Sequence, residues 1–352
     1  MASRALRLVA LIAVLALMAS ACTRSSSPSA SRVQPADLYG ANPSLIDVRS
    51  LLGSGDWWPG PPSFGVRPLD SASMAAKEKF QVVTRFVHIG TAETFEIGYM
   101  VWDSSSSATN SMNNVQAALG TSVTGPKVGD RVLYYGAQGS GAAPYGYITI
   151  VRIGQIVTTI ALNLKDPSAK VAQLAKIATK VTSRLKDVLA GKVRVSPLPT
   201  ADVSLLPPPG PEMTLLASVR LPIEAIVVML DSTSPDAIAG SLHTAGVDSI
   251  VFGDYVLDND THMEVRASVF NFMNAEQATT WLEALRGAHR VDSNGISFFY
   301  DDPTAQYFSL IAAGTKSAVL VCRSTTSGEA ASRSCEAPLS RVAPAWQISL
   351  TG

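Results

Sequence analysis

Tyr147-Ile-Thr-Ile-Val-Arg-Ile-Gly154 runs straight on into Gln155–Leu162, and Tyr307-Phe-Ser-Leu-Ile-Ala-Ala-Gly314 runs on into Thr315–Cys322. Each is a β-branched or aromatic run, a turn glycine and a second such run, the pattern of a β-hairpin. In both, tyrosine stands seven residues before the glycine. The same spacing twice in one chain marks an internal duplication.

Outward from these hairpins the two halves keep the same order. Val82–Ile89 and Phe95–Trp102 flank Gly90-Thr91-Ala92, while Ile250–Leu257 and Met263–Phe270 flank Asp258-Asn259-Asp260. On a constant offset, Glu96-Ile97 falls on Glu264-Val265 and Val101-Trp102 on Val269-Phe270. A helix follows in each half, Ala108–Leu119 and Ala275–Arg286, then a glycine turn and a strand, Val132–Tyr135 and Ile296–Tyr300. A terminal helix is predicted from Val171, Leu174, Ala178, Val181, Leu185 and Val188, which share one apolar stripe. Its counterpart at Glu329–Val342 meets Pro338 and Pro344 and should be shorter. Helices are also predicted to open each half, over Ser44–Leu52 and Ala72–Phe80 and over Pro222–Leu230 and Pro235–Thr244. Hairpins without a βαβ rhythm predict antiparallel sheets. The fold class is therefore α+β: two tandem duplicated domains, each an antiparallel sheet with helices packed on one face.

Two stretches divide the chain. Thr23–Arg32 is polar and Ser-rich, a flexible tether. Between Ser196 and Pro211 six prolines fix φ and remove amide donors, which reads as a stiff, extended linker. The 352 residues are 47% hydrophobic and 16% charged, enough for two cores. Lys+Arg and Asp+Glu are both 28, with no basic block, so nucleic acid is not an expected partner.

At the N-terminus, Arg4 and Arg7 precede an apolar run from Leu8 to Met18 and then Ala19-Ser20-Ala21-Cys22. The run is too short for a permanent membrane helix and reads as a cleaved secretory signal. Small residues before a lone cysteine resemble a bacterial lipoprotein lipobox, with Ala19 where that motif usually has leucine. The resemblance implies cleavage before Cys22 and lipid attachment to its sulfur, a diacylglyceryl group carrying palmitate-type chains. The alternative is an ordinary signal peptide that leaves a stray cysteine. The expected domains are a signal peptide at 1–21, lipidated Cys22 with the tether at 22–40, a first domain at 41–195, the linker at 196–211 and a second domain at 212–352. Cys322 and Cys335 then remain, either as a disulfide pair in an oxidising compartment or as two free buried thiols.

The lipobox, the tether, the opening Asn42–Leu51, the linker Pro197–Gly210 and the segment Ser234–Asn259 occur in one order. Together they resemble the uncharacterised two-domain lipoproteins of mycobacteria and related actinobacteria. That resemblance implies a location, lipid-anchored at the outer face of the cytoplasmic membrane in the cell envelope, and no particular chemistry.

The motifs for chemistry are sparse. His88, His243, His262 and His289 are the only histidines, none at the i, i+4 spacing of a helical zinc site. Ser183 and Lys186 form an isolated Ser-x-x-Lys, which chance explains. Gly136–Gly146 is glycine-rich but precedes a strand, and reads as a mobile hairpin loop. Asp254, Asp258, Asn259 and Asp260 gather oxygen ligands without the spacing of a calcium loop, and read as a solvated turn. No cofactor, metal or catalytic residue is expected. Trp57 and Trp58 are candidate ligand contacts on an irregular segment, with a core plug as the alternative. Lys165, Lys170, Lys176, Lys180, Arg184 and Lys186 form the polar side of the terminal helix of the first half, either a solvated face or a face turned to anionic headgroups. The expected function is a non-enzymatic module that binds a lipid, glycan or envelope protein and holds the membrane through Cys22. The alternative is a hydrolase with dispersed catalytic groups, such as His88 or His243 with a serine and an aspartate.

Overall fold

The structure is a computed structural model that describes residues 33, 35–59, 63–64, 76–91, 93–140, 143–166, 171–192, 203–208, 213–225, 235–258, 260–287, 295–302, 305–324 and 333–351. The signal, Cys22 and the Ser-rich tether lie outside the described residues.

The first half builds one sheet from β1 (Trp57–Pro59), β2 (Ser63–Phe64), β3 (Glu78–His88), β4 (Thr94–Trp102), β5 (Arg131–Ser140), β6 (Ala143–Ile153) and β7 (Ile156–Leu164). The second builds another from β8 (Met213–Pro222), β9 (Val247–Leu257), β10 (Asp260–Phe272), β11 (Ser297–Asp301), β12 (Gln306–Ala313) and β13 (Lys316–Ser324). The first sheet is ordered β1-β3-β4-β7-β6-β5, with β2 also on β3; the second is ordered β8-β9-β10-β13-β12-β11. All pairs are antiparallel, and the two orders are the same order. The duplication is thus a property of the topology.

Seven helices complete the described residues: α1 (Pro35–Gly40), α2 (Leu45–Leu52), α3 (Ser105–Leu119), α4 (Val171–Leu189), α5 (Pro235–Thr244), α6 (Ala275–Arg286) and α7 (Glu336–Thr351). The expected helical layer on one face is present. The stripe of α4 buries Leu174, Ala178, Val181, Leu185 and Val188 against Val82, Phe86, Ile97 and Ile160. In the second half α7 buries Leu339, Ala343 and Trp346 against Val265, Ile311 and Leu320. The structure adds a smaller layer on the opposite faces. Ala108 and Met112 of α3 pack on Trp102, Leu133 and Ile150, and Leu282 of α6 packs on Leu310 and Val319. Strand alternation supplies both, since a strand with apolar residues at odd and even positions needs a cover on each side.

Pairing sets the register between halves. Gly154 and Gly314 hold the equivalent turns, at φ 56° and 61°. The amide of Trp102 donates to the Gln155 carbonyl at 3.0 Å, and that of Phe272 to the Thr315 carbonyl at 2.9 Å. Ser104 and Asn274 are the N-caps of α3 and α6, each accepting from the amide three residues on. Trp102 therefore matches Phe272, and Glu96 matches Arg266. This corrects the sequence offset by two residues, because the β9–β10 hairpin carries an irregularity between Asp260 and Glu264. Side chains alternate with period two, so the displaced reading still had the faces right.

Other expectations need correction. The tether region 22–40 includes α1, with Leu38 wholly buried and Val33 in the first core. The opening helix at Ser44–Leu52 is α2, with Ser44 as its N-cap, but Ala72–Phe80 is not a helix where it is described. Residues 76–77 turn and Glu78 already pairs with Trp102. Pro222 closes β8 and only residues 223–225 of the expected Pro222–Leu230 helix are described as helical. Gly136–Gly146 is no loop: β5 and β6 pair through it as far as Ser140 with Ala143. The last helix starts later and runs through both prolines. Pro338 falls in its first turn, where the missing amide has no partner to lose, and Pro344 lies inside. The linker is docked where it is described. Val203–Leu205 makes a 3₁₀ turn, Leu206 is buried, and Tyr255 donates to the Pro207 carbonyl at 2.9 Å.

The halves share a seam. Val87 of β3 packs into a cluster of Val219, Leu221, Ile223 and Ile250, with Trp58 and Ile89 against it. Leu216 and Val256 join the core of the first half in turn. Val87 pairs with Thr94 and Val256 with Glu264, so the two valines hold equivalent positions. Equivalent residues exchanged across a contact are the mark of an isologous interface.

Candidate functional site

The strongest polar constellation grows from β-strand alternation beside this seam. Arg85 faces Glu96 across β3 and β4, and at the equivalent place Asp254 faces Arg266 across β9 and β10. The pair is kept and its charge order reversed. In the first half, the Arg85 Nε and Nη2 donate to one Glu96 oxygen at 3.0 and 2.8 Å. Two residues along, Asn163 donates to the Thr94 hydroxyl at 3.0 Å. The second half replaces that hydrogen bond with an ion pair, Arg323 Nε to Glu264 Oε2 at 2.7 Å, and Arg266 Nε takes Glu264 Oε1 at 3.0 Å. Glu264 and Asp254 are both 0% exposed. Burial of a carboxylate demands such partners, so this network fixes strand register at the seam. Asp254 lies between Phe252 and Val256 on one strand face, and both pack into clusters that the two halves share.

Two open grooves mark the first half. One, of about 510 Å³, lies between α2 and α4 and is lined by Asp47, Ser50, Lys176, Thr179, Lys180 and Ser183. Lys180 reaches Asp47 at 3.0 Å. Burial alone would raise the Asp47 carboxyl, but Lys180 and the Ser44 cap outweigh it and hold it below the usual range. Arg184 donates to the Gly40 carbonyl at 2.9 Å and ties α1 to α4. The other groove, of about 480 Å³, follows the β5 edge past Lys127, Asp130, Arg131 and Tyr134.

The residues singled out from sequence fall in separate places. Trp57 is 2% exposed, in the first core, with its ring edge-on to His88 at 5.2 Å. Trp58 is half-buried at the seam and donates to Asp56 at 2.9 Å. The tryptophans occupy successive positions of β1, a strand and not an irregular segment, and so face opposite ways, which keeps them from contacting one ligand together. Trp57 is the core plug. His88 sits against Gly55, where a Cβ would collide with its imidazole. Exposed His243 lies 3.4 Å from Glu224. His289 and Asn259 lie outside the described residues. Asp258 accepts from Thr214 at 2.6 Å, while Asp254 is in the strand interior, so these two carboxylates do not share one solvated turn. Among the described residues no group of three or more His, Cys, Asp or Glu could hold a metal ion.

Cys322 and Cys335 form a disulfide, tying β13 to the turn before α7, with both half-cystines buried. Ser183, Lys176, Lys180 and Lys186 are exposed on α4. Lys165 follows β7 rather than lying on the helix, and Lys170 is outside the described residues. The buried charges were missed from sequence. Their signal was the isolated Glu264 and Arg323 within the apolar runs of β10 and β13.

Fold and site together define a tandem pair of antiparallel α+β units joined through a shared seam. No family model matches the chain, and no curated protein does. Among solved structures, the extracellular domain of PknH from Mycobacterium tuberculosis aligns with 44% of this chain and 97% of its own length. The identity is 12% and the TM-score 0.34, a likeness too loose to carry function across.

Proposed function

We propose that this chain is a lipid-anchored cell-envelope module of the two-domain lipoprotein type, which binds a ligand or a partner and does no chemistry of its own. The observation that carries the compartment is the Cys322–Cys335 disulfide, because such bonds persist in oxidising, exported environments. It accords with the secretory signal read at 1–21 and leaves Cys22 as the remaining cysteine, placed for the lipid. The open grooves on the first half support surface recognition of a lipid, glycan or envelope protein.

The test is made on protein purified from its native membrane. Mass spectrometry of the N-terminal peptide should find Cys22 as the first residue with a diacylglyceryl group, and Cys22→Ala should release the chain from the membrane fraction. An unmodified Cys22, or a membrane-bound C22A variant, would overturn the anchor. Crosslinking and lipid extraction from the same preparation should recover a ligand or partner above a C22A control. Recovery of none, with turnover of an envelope ester or glycan instead, would overturn the binding role.

A further inference from the structure

The outward face of α4 combines charge and position in a way that the seam does not. Lys176, Lys180, Ser183 and Lys186 fall within roughly a third of the helix circumference at 100° per residue. Lys180 is matched by Asp47, and Asp187 is matched by Lys192 at 3.4 Å. Lys176 and Lys186 have no carboxylate partner among the described residues, so this face carries uncompensated positive charge. Its inner face is filled by the core, so only the basic side is presented outward.

Position supplies the second observation. Val33 is buried in the first core, and α1, which follows it, is held to α4 by the Arg184–Gly40 hydrogen bond. The chain therefore enters the fold beside α4. The segment from Cys22 to Val33 spans at most roughly 40 Å even fully extended. A lipid on Cys22 would keep this side of the fold within that distance of the bilayer.

We infer that the lysine face of α4 rests on the anionic headgroups of the membrane that holds the anchor, orienting the first half with its sheet directed away from the bilayer. The inference rests on the anchoring reading. Attraction of this kind acts through the surface potential of anionic lipid and fades within a Debye length, so it needs the proximity that the tether supplies.

The experiment uses the full lipidated chain in vesicles of pure phosphatidylcholine or pure phosphatidylglycerol, with lysine acetylation rates read by mass spectrometry. Lys176, Lys180 and Lys186 should react at least about three-fold more slowly on phosphatidylglycerol, while Lys79 and Lys127 keep their rates. High salt should abolish the difference, and a Lys176→Glu/Lys186→Glu variant should lose protection at Lys180. Equal rates on both lipids, or uniform slowing of all lysines, would overturn the inference. So would protection by inorganic phosphate without vesicles, which would assign a small-anion site instead. Flotation with phosphatidylcholine vesicles reports the anchor alone. Failure to float would overturn the anchoring reading and the inference with it, whereas flotation with equal lysine rates on the two lipids would overturn the headgroup contact alone.

Discussion

Arg85 and Asp254 occupy the same place in the two sheets and carry opposite charges. Their partners Glu96 and Arg266 are reversed in step, so each half keeps a cross-strand ion-pair position and neither repeats the chemistry of the other. Duplication preserved the geometry of the pair while its electrostatics diverged. The second half went further, replacing the Asn163–Thr94 hydrogen bond with buried Arg323–Glu264.

Glu264 should therefore matter more than Glu96. Glu264→Gln leaves two guanidiniums facing a neutral amide at a position with no solvent access, and should cost about 3 kcal/mol. Glu96→Gln, in a pair with side chains 32% and 25% exposed, should cost less than about 1 kcal/mol. Chemical denaturation of both variants checks this, and equal losses would contradict it.

Lys77 and Gly246 occupy equivalent turns, shown by their carbonyls accepting from Asp103 and Met273. Both have positive φ, 68° and 79°. A lysine there carries a strain that glycine lacks, so Lys77→Gly should stabilise the protein by up to about 1 kcal/mol. The exposed Lys77–Asp103 pair at 3.8 Å gives up little in return. Gly246→Ala should do the opposite, since at that φ any residue with a Cβ is strained and the Gln277 amide would also have to move aside. The shift in thermal midpoint gives each sign.

Removing the disulfide should loosen the end of the second half. Its cysteines are 13 residues apart, and Cys322→Ser/Cys335→Ser should lose about 3 kcal/mol by unfolded-chain entropy alone. Hydrogen exchange should rise first at Arg333–Cys335 and in α7, which the bond tethers to β13. A rise confined to the first half would refute this.

The tyrosines give an alkaline limit. Burial, with the Glu336 carboxylate adding to it, pushes the Tyr307 phenol up to about 12. Burial raises Tyr99 and Tyr255 further, with Asp254 adding at Tyr255. A phenol in the unfolded chain ionises near 10. Above that pH the unfolded state releases protons that the folded state still holds. Stability from these groups is thus intact below about pH 10 and declines as pH climbs through about 12. Phenolate absorbance should show Tyr99, Tyr255 and Tyr307 ionising only as the protein unfolds.

The hairpins, the turn glycines and the apolar stripe of α4 were legible because they are local: alternation and three-to-four spacing are written in consecutive residues. The halves' true register was not. It depends on an irregularity between Asp260 and Glu264 that shifts pairing by two residues without changing any residue's face. Glu264 and Arg323 were illegible for a related reason. They are far apart in sequence and meet only because β10 lies beside β13. Trp57 and Trp58 misled because a strand of three residues is too short to show its alternation. The sheet topology, not composition, decides that one is core and the other seam.

With Val87 lodged among residues of the second half, and Leu216 and Val256 among those of the first, neither half owns a complete interior. Severing the chain in the proline stretch would not liberate two miniature proteins. It would strip each fragment of side chains that close its wall, leaving matching bare surfaces with strong reason to find one another again.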